Sequence, residues 1–84
     1  MREERSFRGI RQRLARHYLS NLGGEIESDD RIVGDEWEAT LSAEKVSIGR
    51  SLSLTEVTIV FEGKEESLEP LIERFAQKAM RAGG

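Results

Sequence analysis

The chain has 84 residues, no cysteine, a single histidine and a formal net charge of −3. This length buries one core, and the absent thiols exclude disulfides, thiolate metal sites and cysteine nucleophiles. No apolar run approaches the ~18 residues of a membrane span, and "MREERSF" is too charged for a secretory leader, so the cytoplasm is the expected location.

Residues 1–84 read as a single α+β domain. Its first seven residues are either a short strand over "EERSF" or disordered. From about Gly9 to Leu22 the pattern turns helical: Ile10, Leu14, Ala15, Tyr18, Leu19 and Leu22 fall on one broad half of the wheel at 100° per residue. Arg13, Arg16 and Ser20 lie on the other side. Gly23 tolerates the left-handed C′ conformation and should end the helix.

The middle reads as antiparallel strands. "GEIES", "RIV", "EWEATLS", "KVSIG" and "LTEVTIVFEG" are separated by the turn-prone "DD", "GD", "SAE" and "GRS". Trp37, Ala39 and Leu41 alternate with Glu36, Glu38 and Thr40; Val57, Ile59 and Phe61 alternate with Thr58, Val60 and Glu62. Leu52 and Leu54 have the opposite parity to Val57, and a bulge near Thr55–Glu56 or a loop before the strand would restore them to the apolar side. One apolar and one polar face imply a sheet covered on one side only.

In the last element Leu68, Leu71, Ile72, Phe75, Ala76, Ala79 and Met80 form an i, i+3, i+4, i+7 stripe. Ser67 is the expected N-cap, which puts Pro70 in the first turn, and the helix should reach about Arg81. Residues 83–84 should form a flexible tail. The expected order is β-α-β4-α, with two helices packed on one face of a curved antiparallel sheet.

No catalytic constellation, cofactor motif or metal site is visible, so the chain reads as non-enzymatic. His17 sits at the edge of the apolar stripe with no nucleophile at a telling spacing. The acids of "EIESDDRIVGDEWE" lack the alternating spacing of a calcium loop and fit a soluble sheet edge better. Six arginines against two acids give residues 1–22 a net charge of +4, whereas residues 23–73 carry fourteen acids against four bases, net −10. Arg13 and Arg16 are the candidate basic helix face for RNA. That reading is disfavoured, because an acidic sheet repels a polyanion and the aromatics all read as core or core edge.

The closing Gly83–Gly84 is a candidate activated C-terminus, since a slim glycine tail can thread to an adenylating enzyme. After a helix reaching Arg81, however, Ala82–Gly84 would project only about 10 Å. A helix end followed by fraying is the preferred reading, with carrier or modifier activity the alternative.

The stretches "FRGIRQRLARHYLSNLGGEIE" and "SIGRSLSLTEVTIVFEGKEESLEPLIERFAQKAMRAGG" resemble the C-terminal domain of MoaD-related proteins, a domain of unknown function. MoaD is the sulfur-carrying small subunit of molybdopterin synthase, and in those relatives a β-grasp carrier domain comes first. The resemblance implies a fold like that of TATA-binding protein and a setting of sulfur transfer and molybdenum-cofactor synthesis. With no carrier domain ahead of Phe7, the sulfur-carrier role itself is not implied. The expected function is an accessory or protein-interaction domain. Its expected partners are a MoaD-like carrier, the carrier's adenylating enzyme or a second copy of the chain. Glu36, Glu38, Thr40, Thr58 and Val60 are the candidate exposed sheet positions, of the polar and small character that suits a wet interface.

Overall fold

The computed structural model describes residues 1–83, and their elements run β1 (Arg2–Arg8), α1 (Gln12–Asn21), β2 (Glu25–Ser28), β3 (Arg31–Gly34), β4 (Trp37–Ile48), β5 (Leu52–Gly63) and α2 (Glu65–Gly83). This is the β-α-β4-α order of an α+β domain. The N-terminal residues are strand, because Arg2 to Arg8 pair antiparallel with Glu62 to Glu56. The five-stranded sheet has the order β1-β5-β4-β3-β2 with every pair antiparallel.

Both helices lie on the same side of that sheet. The core joins Ile32, Trp37, Ala39, Leu41, Val57, Ile59 and Phe61 of the strands to Ala15 and Leu19 of α1 and to Leu68, Leu71, Ile72, Phe75 and Ala79 of α2. Alternation along β4 and β5 causes this, because successive side chains point to opposite faces. Phe75 is the hub: the rings of Phe7, Tyr18 and Phe61 meet it edge-on at centroid distances of 4.9, 6.1 and 6.2 Å.

Helix α1 closes as its glycines suggest. Leu22 is the C-cap, Gly23 takes φ +107°, and the N–H groups of Gly23 and Gly24 donate to the carbonyls of Ser20 and Leu19. These are the two bonds of a Schellman motif, which satisfy carbonyls that the helix cannot. The helix starts three residues later than the periodicity suggests, since β1 runs to Arg8 and Gly9, at φ +86°, turns the chain.

Several local expectations fail. "SAE" is not a turn: β4 and β5 pair without a break from Trp37–Gly63 to Ile48–Leu52, and twelve-residue partners outweigh the weak turn preference of Ser, Ala and Glu. The same continuous register leaves no bulge at Thr55–Glu56, so Leu52 and Leu54 stay on the face away from the helices. Ser67 is no N-cap, because the N–H groups of Ser67 and Leu68 already donate to the Lys64 carbonyl. Helix α2 therefore begins at Glu65, where two acids favour its N-terminus, and Pro70 lies beyond the first turn. Met80 leaves the apolar stripe and is 75 % exposed. At the other end α2 continues through Gly83, two residues past Arg81, so Gly83 is helical, and Gly84 of the expected tail lies outside the described residues.

Candidate functional site: the uncovered face of the sheet

One whole side of the sheet meets neither helix, and its side chains fall in rows across the strands. In antiparallel pairs, directly opposed residues share a face. From the pairing, one row is Glu38, Glu62 and Arg2; the next is Thr40, Val60 and Glu4; then Ser42, Thr58 and Ser6; then Glu44, Glu56 and Arg8. Arg31 flanks Thr40 on β3.

Charge on this face is partly self-compensated. Arg31 bonds Glu38 and also reaches Glu27 at 3.3 Å, Arg8 reaches Glu56 at 3.3 Å, and Arg2 lies 4.0 Å from Glu62. The hydroxyls of Ser6 and Thr58 share a hydrogen bond of 3.0 Å. These groups are exposed or half-buried, so each pair adds little to stability, about 0–1 kcal/mol. Their effect is to keep the face hydrated, while five acids against Arg2, Arg8 and Arg31 leave it net acidic.

Of the sheet positions expected from alternation, Glu38, Thr40, Thr58 and Val60 come together here, with Thr40 directly opposite Val60. Thr40 is exposed, whereas Thr58 and Val60 are half-buried. Glu36 does not belong to the face. It lies in the Asp35–Glu36 turn at φ +62°, its carbonyl accepts the Lys64 N–H at 3.1 Å, and its carboxylate meets the Lys64 ammonium at 3.0 Å. Alternation placed it on a strand; the two-residue β3–β4 turn, tied to Lys64 just ahead of α2, removes it.

The pair Arg13 and Arg16 separates as well. Arg13 is exposed on α1, while half-buried Arg16 turns to the β2–β3 turn and donates to the Asp29 carbonyl at 2.8 Å beside Gln12. Arg16→Ala should therefore lower stability by about 1 kcal/mol, the typical net worth of one hydrogen bond, because its side chain is partly exposed. Arg13→Ala should leave it unchanged in the same urea titration. His17 shares a 3.3 Å hydrogen bond with Asn21 on the helix side of the molecule, away from the face. Among the described residues no group of three His, Cys, Asp or Glu side chains is arranged to hold a metal ion, and no helix is long and apolar enough to cross a membrane.

Beyond the Glu44–Glu56 row the β4–β5 hairpin has no flanking strands, since β1 stops at Arg8 and β3 reaches only Thr40. Here its polarity inverts. On the helix side apolar Leu41, Ala43, Val57 and Ile59 give way to Lys45, Ser47, Ser53 and Thr55. On the uncovered side the polar rows give way to Val46 opposite Leu54 and Ile48 opposite Leu52. Leu52 is 57 % and Ile48 is 37 % exposed. Sequence reasoning missed this arm because a bulge was expected to return the leucines to the core. The signal was their unbroken period of two running into Ile48 across the "GRS" turn.

Comparison with curated proteins gives no match. The family model described as archaeal MoaD-like protein matches residues 3–84, almost the entire chain, strands, helices and arm included. The chain therefore belongs to the archaeal MoaD-like protein family.

Proposed function

We propose that this chain is a non-enzymatic accessory domain that docks a protein partner on the uncovered face of its sheet, the partner being a MoaD-like sulfur carrier or the carrier's adenylating enzyme. The observation that carries the reading is the partly ion-paired, hydroxyl-lined face itself, with Thr40, Ser42, Thr58 and Val60 at its centre and acid–arginine rows on either side. Such a surface suits a wet, reversible interface with polar groups at its margin. Family membership supports a protein partner, and the choice of a carrier or its enzyme is part of the proposal. The chain corresponds in this reading to the domain that accompanies a carrier: a helix precedes its first central hairpin, which is not the β-grasp order.

Titration calorimetry with a MoaD-like carrier, and separately with its adenylating enzyme, tests this. The wild-type chain should bind one of them saturably. Thr40→Arg places a bulky cation at an exposed central position without touching the core, and should weaken that binding at least about tenfold, equivalent to about 1.4 kcal/mol. Absence of saturation with either protein at about 1 mM would remove the proposal.

A further inference from the structure

The arm's apolar side has one occupant that the residues themselves specify. We infer that it is covered by the same side of a second copy of this chain, two β4–β5 arms packing face to face and antiparallel about a two-fold axis between the Val46–Leu54 and Ile48–Leu52 rows. This deepens the reading of the uncovered face as an interaction surface and rests on it.

The order of residues along the arm is self-complementary under that operation. From the body outward the uncovered side carries Glu44 with Glu56, then Val46 with Leu54, then Ile48 with Leu52, and the Gly49–Arg50–Ser51 turn caps it. A two-fold axis between the apolar rows sets Val46 over Ile48 of the second copy and Leu54 over its Leu52. The next step of the same stagger, about 7 Å further along each strand, brings Glu44 to Arg50 of the second copy. Isologous contacts are reciprocal, so the ion pair forms twice.

Charge on the single copy asks for that cation. Glu44 stands directly opposite Glu56, a like-charge pair that destabilises a hairpin. Arg8 answers Glu56, but among the described residues neither Glu44 nor Arg50 makes an ion pair. They cannot reach each other within one copy, being six residues or about 20 Å of extended strand apart. An unlike partner would have to offer apolar cover with an anion at one end and a cation at the other, in this order. The chain's own arm already does so.

The arm also needs cover on physical grounds. A two-stranded ribbon is marginal in water, and this one shows its apolar side to solvent. Four apolar side chains from each copy fall short of a standard interface of about 1,600 Å², so the dimer is reversible.

Sedimentation equilibrium on the full chain up to about 1 mM tests the inference. The wild type should shift from monomer to dimer with concentration. Leu52→Arg, at an exposed position, should raise the dissociation constant more than tenfold with an unchanged melting midpoint. Arg50→Glu and Glu44→Arg should each weaken association severalfold, and the double variant should restore it. A wild type that stays monomeric throughout, a dimer indifferent to Leu52→Arg, or charge reversals without rescue would each overturn the arm-to-arm contact. Repeating the carrier titration with Leu52→Arg separates the two readings. Carrier binding retained by a monomeric chain sinks the dimer alone, carrier binding lost with Leu52→Arg assigns the arm to the carrier, and no binding by any form sinks both.

Discussion

Phe75→Ala should lower the stability of this domain by about 3–5 kcal/mol, the cost of emptying a buried aromatic site. The ring is fully buried, and it meets β1, α1 and β5 through Phe7, Tyr18 and Phe61. Each edge-on aromatic pair adds roughly 0.5–1.5 kcal/mol beyond area burial, so the loss belongs at the upper end of the range. In a domain of this size 1 kcal/mol moves the melting midpoint by about 4–8 °C, and the variant should melt at least about 15 °C lower. Met80→Ala is the internal comparison: it lies on the same expected stripe but is mostly exposed, and should be nearly silent. A calorimetric loss below about 1 kcal/mol for Phe75→Ala would mean that α2 is not seated on this cluster.

The contrast between Phe75 and Met80 marks how far the sequence was legible. Periodicity found both helices and the side of each that meets the sheet, because a buried stripe must repeat with the helix. Alternation found the faces of β4 and β5 over residues 37–41 and 57–61, and Gly23 found the end of α1. The failures lie where local preference met long-range pairing. Nothing near Ser42–Glu44 announces that β5 holds them extended, and nothing local to Ser67 reveals that α2 already starts just after Lys64. Arg16 looked like half of a basic face because a helical wheel cannot show a carbonyl arriving from the β2–β3 turn.

The arm is the most instructive of these cases. A preference for placing every leucine in the core led to a bulge that the structure lacks. The inverted alternation was in the sequence, with Val46, Ile48, Leu52 and Leu54 at even spacing on both sides of a glycine-led turn. Apolar residues in strict strand register, opposite polar ones, indicate a covered side even where the chain supplies no cover. The candidate interaction surface thus has two parts of different character: a polar body, suited to a reversible partner, and an apolar tip suited to a like one.

Gly34→Ala should be nearly as damaging as the loss of Phe75, for the opposite reason. Gly34 pairs with Trp37 across the β3–β4 turn, and the indole lies close against it, so an added methyl would fall on Cε2, Nε1 and Cζ2 of the ring. The ring has no room to retreat, because its far edge already sits against Gly24, where a Cβ would stand 2.7 Å from Cη2. The indole must then leave the core, forfeiting burial that is worth about 3–5 kcal/mol for a tryptophan. Trp37 is the chain's single tryptophan and is 8 % exposed, so its fluorescence reports this event alone. Emission should shift to the red under native conditions, together with an earlier urea midpoint. Gly49→Ala provides the control: at φ +80° in open space its cost is backbone strain of about 1–2 kcal/mol, with no change in emission. Were Gly34→Ala to keep a blue, buried emission and lose less than its control, the packing of Trp37 against the β3 backbone would be refuted, and with it the account of why this turn must begin with glycine.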